Sequence, residues 1–469
     1  MIEKSKIQIG YKNAKNNDSI VTISTDNDFI SKNPICWEIV QLLAENPFIS
    51  QEELTKKFDI SKEKLIELNT IIRNSEFAQN FMINGGAGSK YWKNTILPTI
   101  KNGKAKAVLE ESFAYPDRVG FCPGLSCMFF CSFCGRNYSA KYEQKFSELG
   151  LKTFKKIIDE TPSNVNKNKT YHITGGLEPL TFPKIGELIS YGKSKGFNME
   201  MQTNGFNLTS QFVQKQLGIK ELSAIRISLY GVDYDSTYHV TKNKAAYEKV
   251  RKNLIDFLKL NLETKVGLNY VILHENIDDV MKLIDYIESI NIASQNQIDF
   301  VTLREDFSAE SVPLTSDEQE KLKKIFQEID ERLKNKPLNK LHIDFGYALE
   351  SIRKGTSVHS LKKVTPNDLR KKAFPQIAVM IDSKGDVFAY HEAAFLDREG
   401  AKRYSIGVVD EKNSLQDVIT KFLNTNGIEP ERFDDCYLDA FDHVITIFLN
   451  NLENNANFGI PWESGPVRI

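Results

Sequence analysis

"FCPGLSCMFFCSFCGRNYSAKY", residues 121–142, carries four of the chain's six cysteines. Three of them fall as Cys127-x-x-x-Cys131-x-x-Cys134, set among phenylalanines. Four uses of such a cluster make different demands on the rest of the chain. A closed structural zinc site takes four thiolates in a tetrahedron, usually as two short pairs across a longer loop. Cys122 supplies a fourth thiol, but all four then crowd into residues 122–134. An iron–sulfur electron carrier also asks for four thiolates. Thiols with no ligand act as small buried hydrophobes. The last use is a 4Fe–4S cluster on three thiolates, with one iron left open to a small molecule. Spacing alone leaves these readings side by side.

Composition narrows the setting. The chain has 469 residues, 41% hydrophobic and 26% charged, with a net charge of −1. That is ordinary globular usage, long enough for two or three domains. The near-zero charge gives no global pull toward nucleic acid or an anionic membrane. No apolar run is long enough to span a bilayer, and MIEKSKIQIGYKNAKNND lacks the apolar stretch of a secretory signal. A cytoplasmic protein is expected. There thiols stay reduced, so clustered cysteines point to metal or redox chemistry before a disulfide.

The chain after the cluster alternates two periodicities. Strand patterns at 169–174, 197–203, 224–230, 264–273 and 297–303 are separated by helical patterns at 147–161, 183–196, 208–217, 245–260 and 277–290. Strands joined by amphipathic helices read as βα units on a parallel sheet. With a strand at Arg118–Phe121 entering the cysteine loop, there are six. In a barrel of such units, chemistry collects at the carboxyl ends of the strands. The cysteines, Gly175-Gly176-Leu177-Glu178-Pro179, Thr203-Asn204-Gly205, Ser228 and Arg304-Glu305 all fall there.

The Cys-x-x-x-Cys-x-x-Cys spacing resembles that of the radical S-adenosylmethionine (SAM) enzymes. The resemblance implies a partial (β/α)6 barrel, and one 4Fe–4S cluster held by Cys127, Cys131 and Cys134 with SAM on the open iron. It also implies that Phe133 lies near the adenine. Glycines allow close backbone approach to a ligand, so Gly175 and Gly176 are expected to present carbonyls to the SAM ammonium, with Glu178 adding negative charge. Thr203, Asn204 and Ser228 complete the expected cofactor set. The family's usual motif is Gly-Gly-Glu-Pro; Leu177 is an insertion.

A narrower likeness spans about residues 35–450. "GGAGSKYW", "TGGLEPL", "IRISLYGV", "DFVTLREDFS", "LHIDFGYAL" and "GDVFAYHEAAF" together resemble the radical SAM ammonia-lyases that deaminate TDP-4-amino-4,6-dideoxyglucose. Two positions depart: His391 stands where that group has arginine, and Gly135-Arg136-Asn137-Tyr138 replaces a valine-arginine stretch. The likeness implies hydrogen abstraction from carbon 3 of a nucleotide-linked 4-amino sugar, release of ammonia, a 3-keto-4,6-dideoxy product, and a flavodoxin- or ferredoxin-type electron donor. Candidate acid–base groups are Glu305, Tyr347, Tyr390, His391 and Glu392. Arg136 and Arg304 are candidates for the diphosphate, since guanidinium forks suit phosphate oxygens. A dehydrogenase, epimerase or dehydratase on another nucleotide sugar is the alternative, and a zinc- or DNA-binding regulator the distant one.

The flanks read as an N-terminal helical domain (1–104) and a C-terminal α+β cap (307–469) around the barrel (105–306). Short helices fill 34–82, with capping boxes at Ser50/Glu53 and a cap at Ser61. They resemble a helix-turn-helix, but residues 50–74 carry five Lys/Arg against five Asp/Glu, so no basic stripe favours DNA. In the cap, a helix is expected at 315–334 with a Ser316/Gln319 box, and a hairpin at 377–390 turning at Ser383-Lys384-Gly385-Asp386. Cys436 stands alone there, so no second cluster is expected, and Cys36 is expected to be a buried hydrophobe.

Overall fold

The computed structural model describes residues 6–11, 19–24, 28–45, 49, 51–78, 81, 107, 110–131, 133–134, 146–163, 165, 169–175, 177–305, 314–338, 341–345, 349, 352–353, 374–376, 378–388 and 401–428. Met1–Leu109 falls in one compact unit; Glu110–Ser357 and Lys363–His443 fall in another.

The first unit opens with an antiparallel pair, β1 (Lys6–Tyr11) and β2 (Ser19–Ser24), which the helical reading of 1–104 did not include. Helices α1 (Asp28–Lys32), α2 (Pro34–Glu45), α3 (Gln51–Phe58) and α4 (Lys62–Arg73) follow. Ser61 caps α4 as expected, its hydroxyl accepting from Lys64 N at 3.2 Å. Ser50 lies outside the described residues. Apolar residues at helical spacing (Ile39, Leu43, Leu54, Leu65, Leu68, Ile72) bury a small core. Cys36 is part of that core, 1% exposed, with its thiol 3.8 Å from Leu68 O.

The second unit is built on one sheet of ten strands. Its strands are β3 (Arg118–Cys122), β4 (Thr170–Ile173), β5 (Asn198–Thr203), β6 (Ala224–Leu229), β7 (Lys265–Ile272), β8 (Phe300–Glu305), β9 (His342–Asp344), β10 (Ala378–Asp382), β11 (Asp386–Phe388) and β12 (Ser405–Val408). The order is β12-β11-β10-β3-β4-β5-β6-β7-β8-β9. From β10 to β9 every neighbouring pair is parallel; β11 and β12 run antiparallel at one edge. The six barrel strands appear where the alternation put them. The region expected as a cap lengthens the same sheet at both ends, β9 beside β8 and β10 beside β3. The hairpin turns at 383–385, with Gly385 at φ +88.

The connecting helices are α5 (Phe146–Asp159), α6 (Ile185–Ser194), α7 (Ser210–Lys215), α8 (Tyr234–Thr241), α9 (Ala246–Leu258), α10 (Asp279–Ser294) and α11 (Ser316–Asn335), with α12 (Leu415–Leu423) after β12. The box on α11 is Thr315/Glu318, not Ser316/Gln319: Thr315 is extended and accepts from Glu318 N at 3.3 Å, while Ser316 is already helical. Strands β3 to β9 lie in sequential order, and right-handed crossovers then put their helices on one face. Strand residues facing the helices are apolar and buried: Met199 and Met201 on β5, Ile225, Ile227 and Leu229 on β6. Between them, on the other face, stand Glu200, Gln202, Arg226 and Ser228. A parallel sheet covered on both sides is apolar on both. A polar second face marks a lumen.

Candidate active site

Cys122 ends β3, and the chain then crosses the strand ends as the cysteine loop. That loop is fastened from two sides. Toward β4, Leu125 N and Ser126 N donate to the Thr181 hydroxyl at 2.9 and 3.2 Å, and Glu178 N donates to Ser126 O at 3.0 Å. Toward α8, Phe130 N donates to Thr241 O at 2.9 Å and Asn243 Nδ2 to Met128 O at 3.1 Å. Phe129 anchors the loop inside, its ring edge-on to Phe206 at 5.6 Å and Tyr230 at 5.7 Å.

The fastening explains the inserted residue after the second glycine. Leu177 is buried against the loop, and a Cβ on Gly124 would lie 2.6 Å from the Leu177 carbonyl carbon. The loop therefore needs glycine at 124 to pass that backbone. Gly175 adopts φ +79, and a Cβ there would lie 2.7 Å from Cys122 Sγ. Cys122 is thus packed under the β4 turn. Gly176 lies outside the described residues.

Glu178 is the hub of the strand ends. Its Oε1 accepts from the Thr203 hydroxyl and from Leu180 N at 3.0 Å; its Oε2 accepts from Asn204 N at 2.8 Å. Burial pushes its carboxyl up, against the pull of these three donors. The side chain thereby ties the β4 turn to the β5 turn, each oxygen accepting from the protein. Asn204 passes the connection on: its Nδ2 stands 3.6 Å from Cys127 Sγ and 3.1 Å from Met128 Sδ. Gly205, at φ +72, lets the chain turn here, and Asn253 Nδ2 holds the Gly205 and Phe206 carbonyls at 3.0 and 2.9 Å.

Among the described residues, Cys127, Cys131, Cys134 and Cys122 form no disulfide. Cys127, Cys131 and Cys134 all lie within electrostatic reach of one phenol, Tyr230. Burial raises the Tyr230 hydroxyl well above its ordinary value; negative charge on Cys131, Cys127 and Cys134 pushes it the same way, and Ser228 opposes the rise. Phe133 stacks obliquely on the same ring at 5.9 Å. Tyr230 was not among the residues singled out from the sequence, although it sits two places after Ser228 in "IRISLYGV".

A profile of the Radical SAM superfamily matches residues 122–287. The dTDP-4-amino-4,6-dideoxy-D-glucose ammonia-lyase of Streptomyces venezuelae is 36% identical over 425 residues, 89% of this chain and 86% of that protein. The chain belongs to the radical SAM superfamily. An AdoMet-dependent heme synthase of Methanosarcina barkeri is 26% identical over 35% of this chain and 46% of its own. SuiB of Streptococcus suis, solved with precursor peptide SuiA, is 12% identical over 73% of this chain and 70% of its own, at TM-score 0.46.

Radical SAM membership implies SAM and an iron–sulfur cluster. Among the described residues, no three His, Cys, Asp or Glu side chains are already drawn into a metal-coordinating group. The donor set nevertheless fits: three cysteines on one loop, in no disulfide, lie within electrostatic reach of one phenol, while Cys122 is packed apart from them under Gly175.

Of the other sequence candidates, Arg304 is half-buried on β8, paired in register with Val271. Glu305 is paired with Ile272, and its side chain lies outside the description. Arg136, Tyr347, Tyr390, His391, Glu392 and Cys436 lie outside the described residues, as does the 85–94 segment. Among the described residues no helix is long and apolar enough to cross a membrane.

Proposed function

We propose that this protein is a radical SAM ammonia-lyase acting on a nucleotide-linked 4-amino-4,6-dideoxy sugar, dTDP-4-amino-4,6-dideoxy-D-glucose or a close relative of it. The observation that carries the reading is the 36% identity to the Streptomyces venezuelae ammonia-lyase over 89% of the chain. That span is far wider than the 122–287 segment any radical SAM enzyme would share.

Cys127, Cys131 and Cys134 hold one 4Fe–4S cluster, whose chemistry is one-electron cleavage of SAM to methionine and a 5′-deoxyadenosyl radical. The chain supplies the rest. The Glu178–Thr203–Asn204 network fixes the turns that flank the cysteine loop, so the loop sits at one depth over the lumen. Gly175, Gly176, Asn204, Ser228 and Phe133 bind SAM from the strand ends. Arg136 and Arg304 receive the diphosphate. Loss of hydrogen from carbon 3, deprotonation of the carbon-3 hydroxyl and departure of ammonia from carbon 4 leave a radical at carbon 4. One electron and one proton complete the 3-keto-4,6-dideoxy product. Glu305, Tyr347, Tyr390, His391 and Glu392 are the candidate acid and base. The electron donor is a flavodoxin- or ferredoxin-type protein, the compartment the cytoplasm.

Deuterium at carbon 3 of the amino sugar tests this. The label is expected in 5′-deoxyadenosine, with ammonia formed alongside. Ammonia without label would put the abstraction site elsewhere. SAM cleavage without ammonia from any amino-sugar nucleotide would replace the lyase with a dehydrogenase or epimerase.

A further inference from the structure

β6 carries an arginine where a strand in a parallel sheet usually carries an apolar residue. Arg226 lies between Ile225 and Ile227, both fully buried against the helices, so its side chain enters the lumen. Directly across the ladder stands Gly267 on β7, and across from that Phe300 on β8. A Cβ on Gly267 would lie 2.1 Å from the Phe300 ring. Glycine at 267 therefore opens the space that the ring fills. The Arg226 guanidinium then rests on the ring face, 5.2 Å from its centroid.

That support leaves the guanidinium's donors unused. A ring face meets the flat side of the fork and none of its N–H groups. Arg226 Nε is buried with no hydrogen-bond partner. Among the described residues, no hydrogen bond or ion pair is made by this side chain. The Glu200 carboxylate lies within electrostatic reach and favours the charged guanidinium, yet no hydrogen bond or ion pair joins the two among the described residues; its Oε2 stands 3.6 Å from His172 Nδ1. Beside Arg226, Asn269 Oδ1 is also buried without a partner. Gln202, paired in register with Arg226, uses its Oε1 to accept from the Thr174 hydroxyl at 3.0 Å. Arg304, Arg118 and Asp344 also lie within electrostatic reach. A buried polar group left unmade is costly, and arginine cannot shed its charge to escape the cost.

We propose that Arg226 is a substrate-binding residue whose fork grips the diphosphate of the nucleotide sugar. This rests on the substrate class proposed above. An anion here has two sources, the substrate diphosphate and the SAM carboxylate. Depth favours the first. Ser228, at the strand end by Tyr230 and the cysteine loop, stands on the same face one alternation further along β6. Arg226 is therefore about 7 Å deeper into the lumen.

Calorimetric titration of the reconstituted full-length protein separates these possibilities, with thymidine diphosphate and SAM as probes in separate runs. Arg226→Ala is expected to weaken thymidine diphosphate binding at least about thirtyfold. Arg226→Lys, a point charge without the fork, should recover part of it, and SAM binding should stay within about twofold in both. Should Arg226→Ala fold poorly, Arg226→Lys and Arg226→Gln carry the comparison. Unchanged thymidine diphosphate affinity in every variant overturns the proposal, with the substrate class left standing. Weakened SAM with unchanged thymidine diphosphate overturns it in favour of the SAM carboxylate. Wild-type protein that binds neither thymidine nor uridine diphosphate removes the substrate class, and the role of Arg226 with it.

Discussion

The strand ends and the lumen below them solve the same problem in opposite ways. Both bury charge. At the strand ends, Glu178 meets three protein donors and both its oxygens are used. In the lumen, Arg226 Nε and Asn269 Oδ1 have no partner. The first region is finished by the chain alone, and its polar groups set geometry. The second leaves these two atoms without a protein partner. Glu178 reads as a ligand residue in sequence because of its motif, and Arg226 reads as nothing in particular. The geometry supplies Glu178 with protein donors and leaves Arg226 Nε without a partner, the arrangement on which the proposed role of Arg226 rests.

The largest effect expected belongs to the thiols above both regions. Changing Cys127, Cys131 or Cys134 to alanine should abolish iron retention and SAM cleavage, measured by iron analysis and 5′-deoxyadenosine formation. Cys122→Ser should retain both, because Cys122 faces Gly175 and not Tyr230. Loss of iron in Cys122→Ser would return the four-thiol readings to consideration.

Glu178 tests the comparison itself. Glutamine has one acceptor where Glu178 has two, so its amide must face either Asn204 N or the Thr203–Leu180 pair. Leaving a buried donor opposed costs about 2–3 kcal/mol. Glu178→Gln should therefore lower the denaturant midpoint of the apo protein, and loosen iron through Asn204, before any SAM is added. If stability is unchanged and only SAM affinity falls, Glu178 is a ligand residue after all and the contrast with Arg226 collapses.

The amino-acid sequence made the barrel legible because period-two strands and period-3.6 helices alternate with little else between them. It hid α8. Tyr-Asp-Ser-Thr-Tyr-His-Val-Thr is poor helix material, and the turn holds because Asp233 and Ser236 form a capping box, with Ser236 N donating to Asp233 at 2.8 Å. It also hid the sheet's extent: β10 lies beside β3 although more than 250 residues separate Phe121 from Ile381, its partner in register. No local pattern encodes so distant a pairing. In the site, the cysteine spacing and the Thr203-Asn204-Gly205 turn could be read directly. The partner of Glu178 could not, since a motif fixes which residues are near and not which donors they find. Arg226 was visible as the polar beat in "AIRISLY" all along, but its lack of a partner is a fact of three dimensions.

A third buried charge sharpens the contrast with the smallest expected effect. Asp382 ends β10, fully buried, and its Oδ2 has no partner. Its Oδ1 accepts from Lys384 N at 2.8 Å and Asp386 N at 3.0 Å. Burial raises its carboxyl to about 7, and the Asp386 carboxylate adds to the rise; Lys384 opposes it, and Lys402 holds Asp386. Cys122 is its partner in register on β3. Here an unmet group escapes by taking a proton, the exit that arginine lacks. The folded chain binds that proton more tightly than the unfolded chain, whose aspartate titrates near 3.8. The resulting stability is complete below the unfolded value and is lost as pH rises through about 7. Between pH 6 and pH 8 the loss amounts to about 1.4 kcal/mol. Denaturant melts across that interval should show the decline in the wild type and a flatter profile in Asp382→Asn, which has no proton to lose. A wild type as flat as the variant would mean that Asp382 is ionised throughout. It would then need a partner, as Arg226 does, and an unmet buried charge would no longer distinguish the lumen from the rest of the sheet.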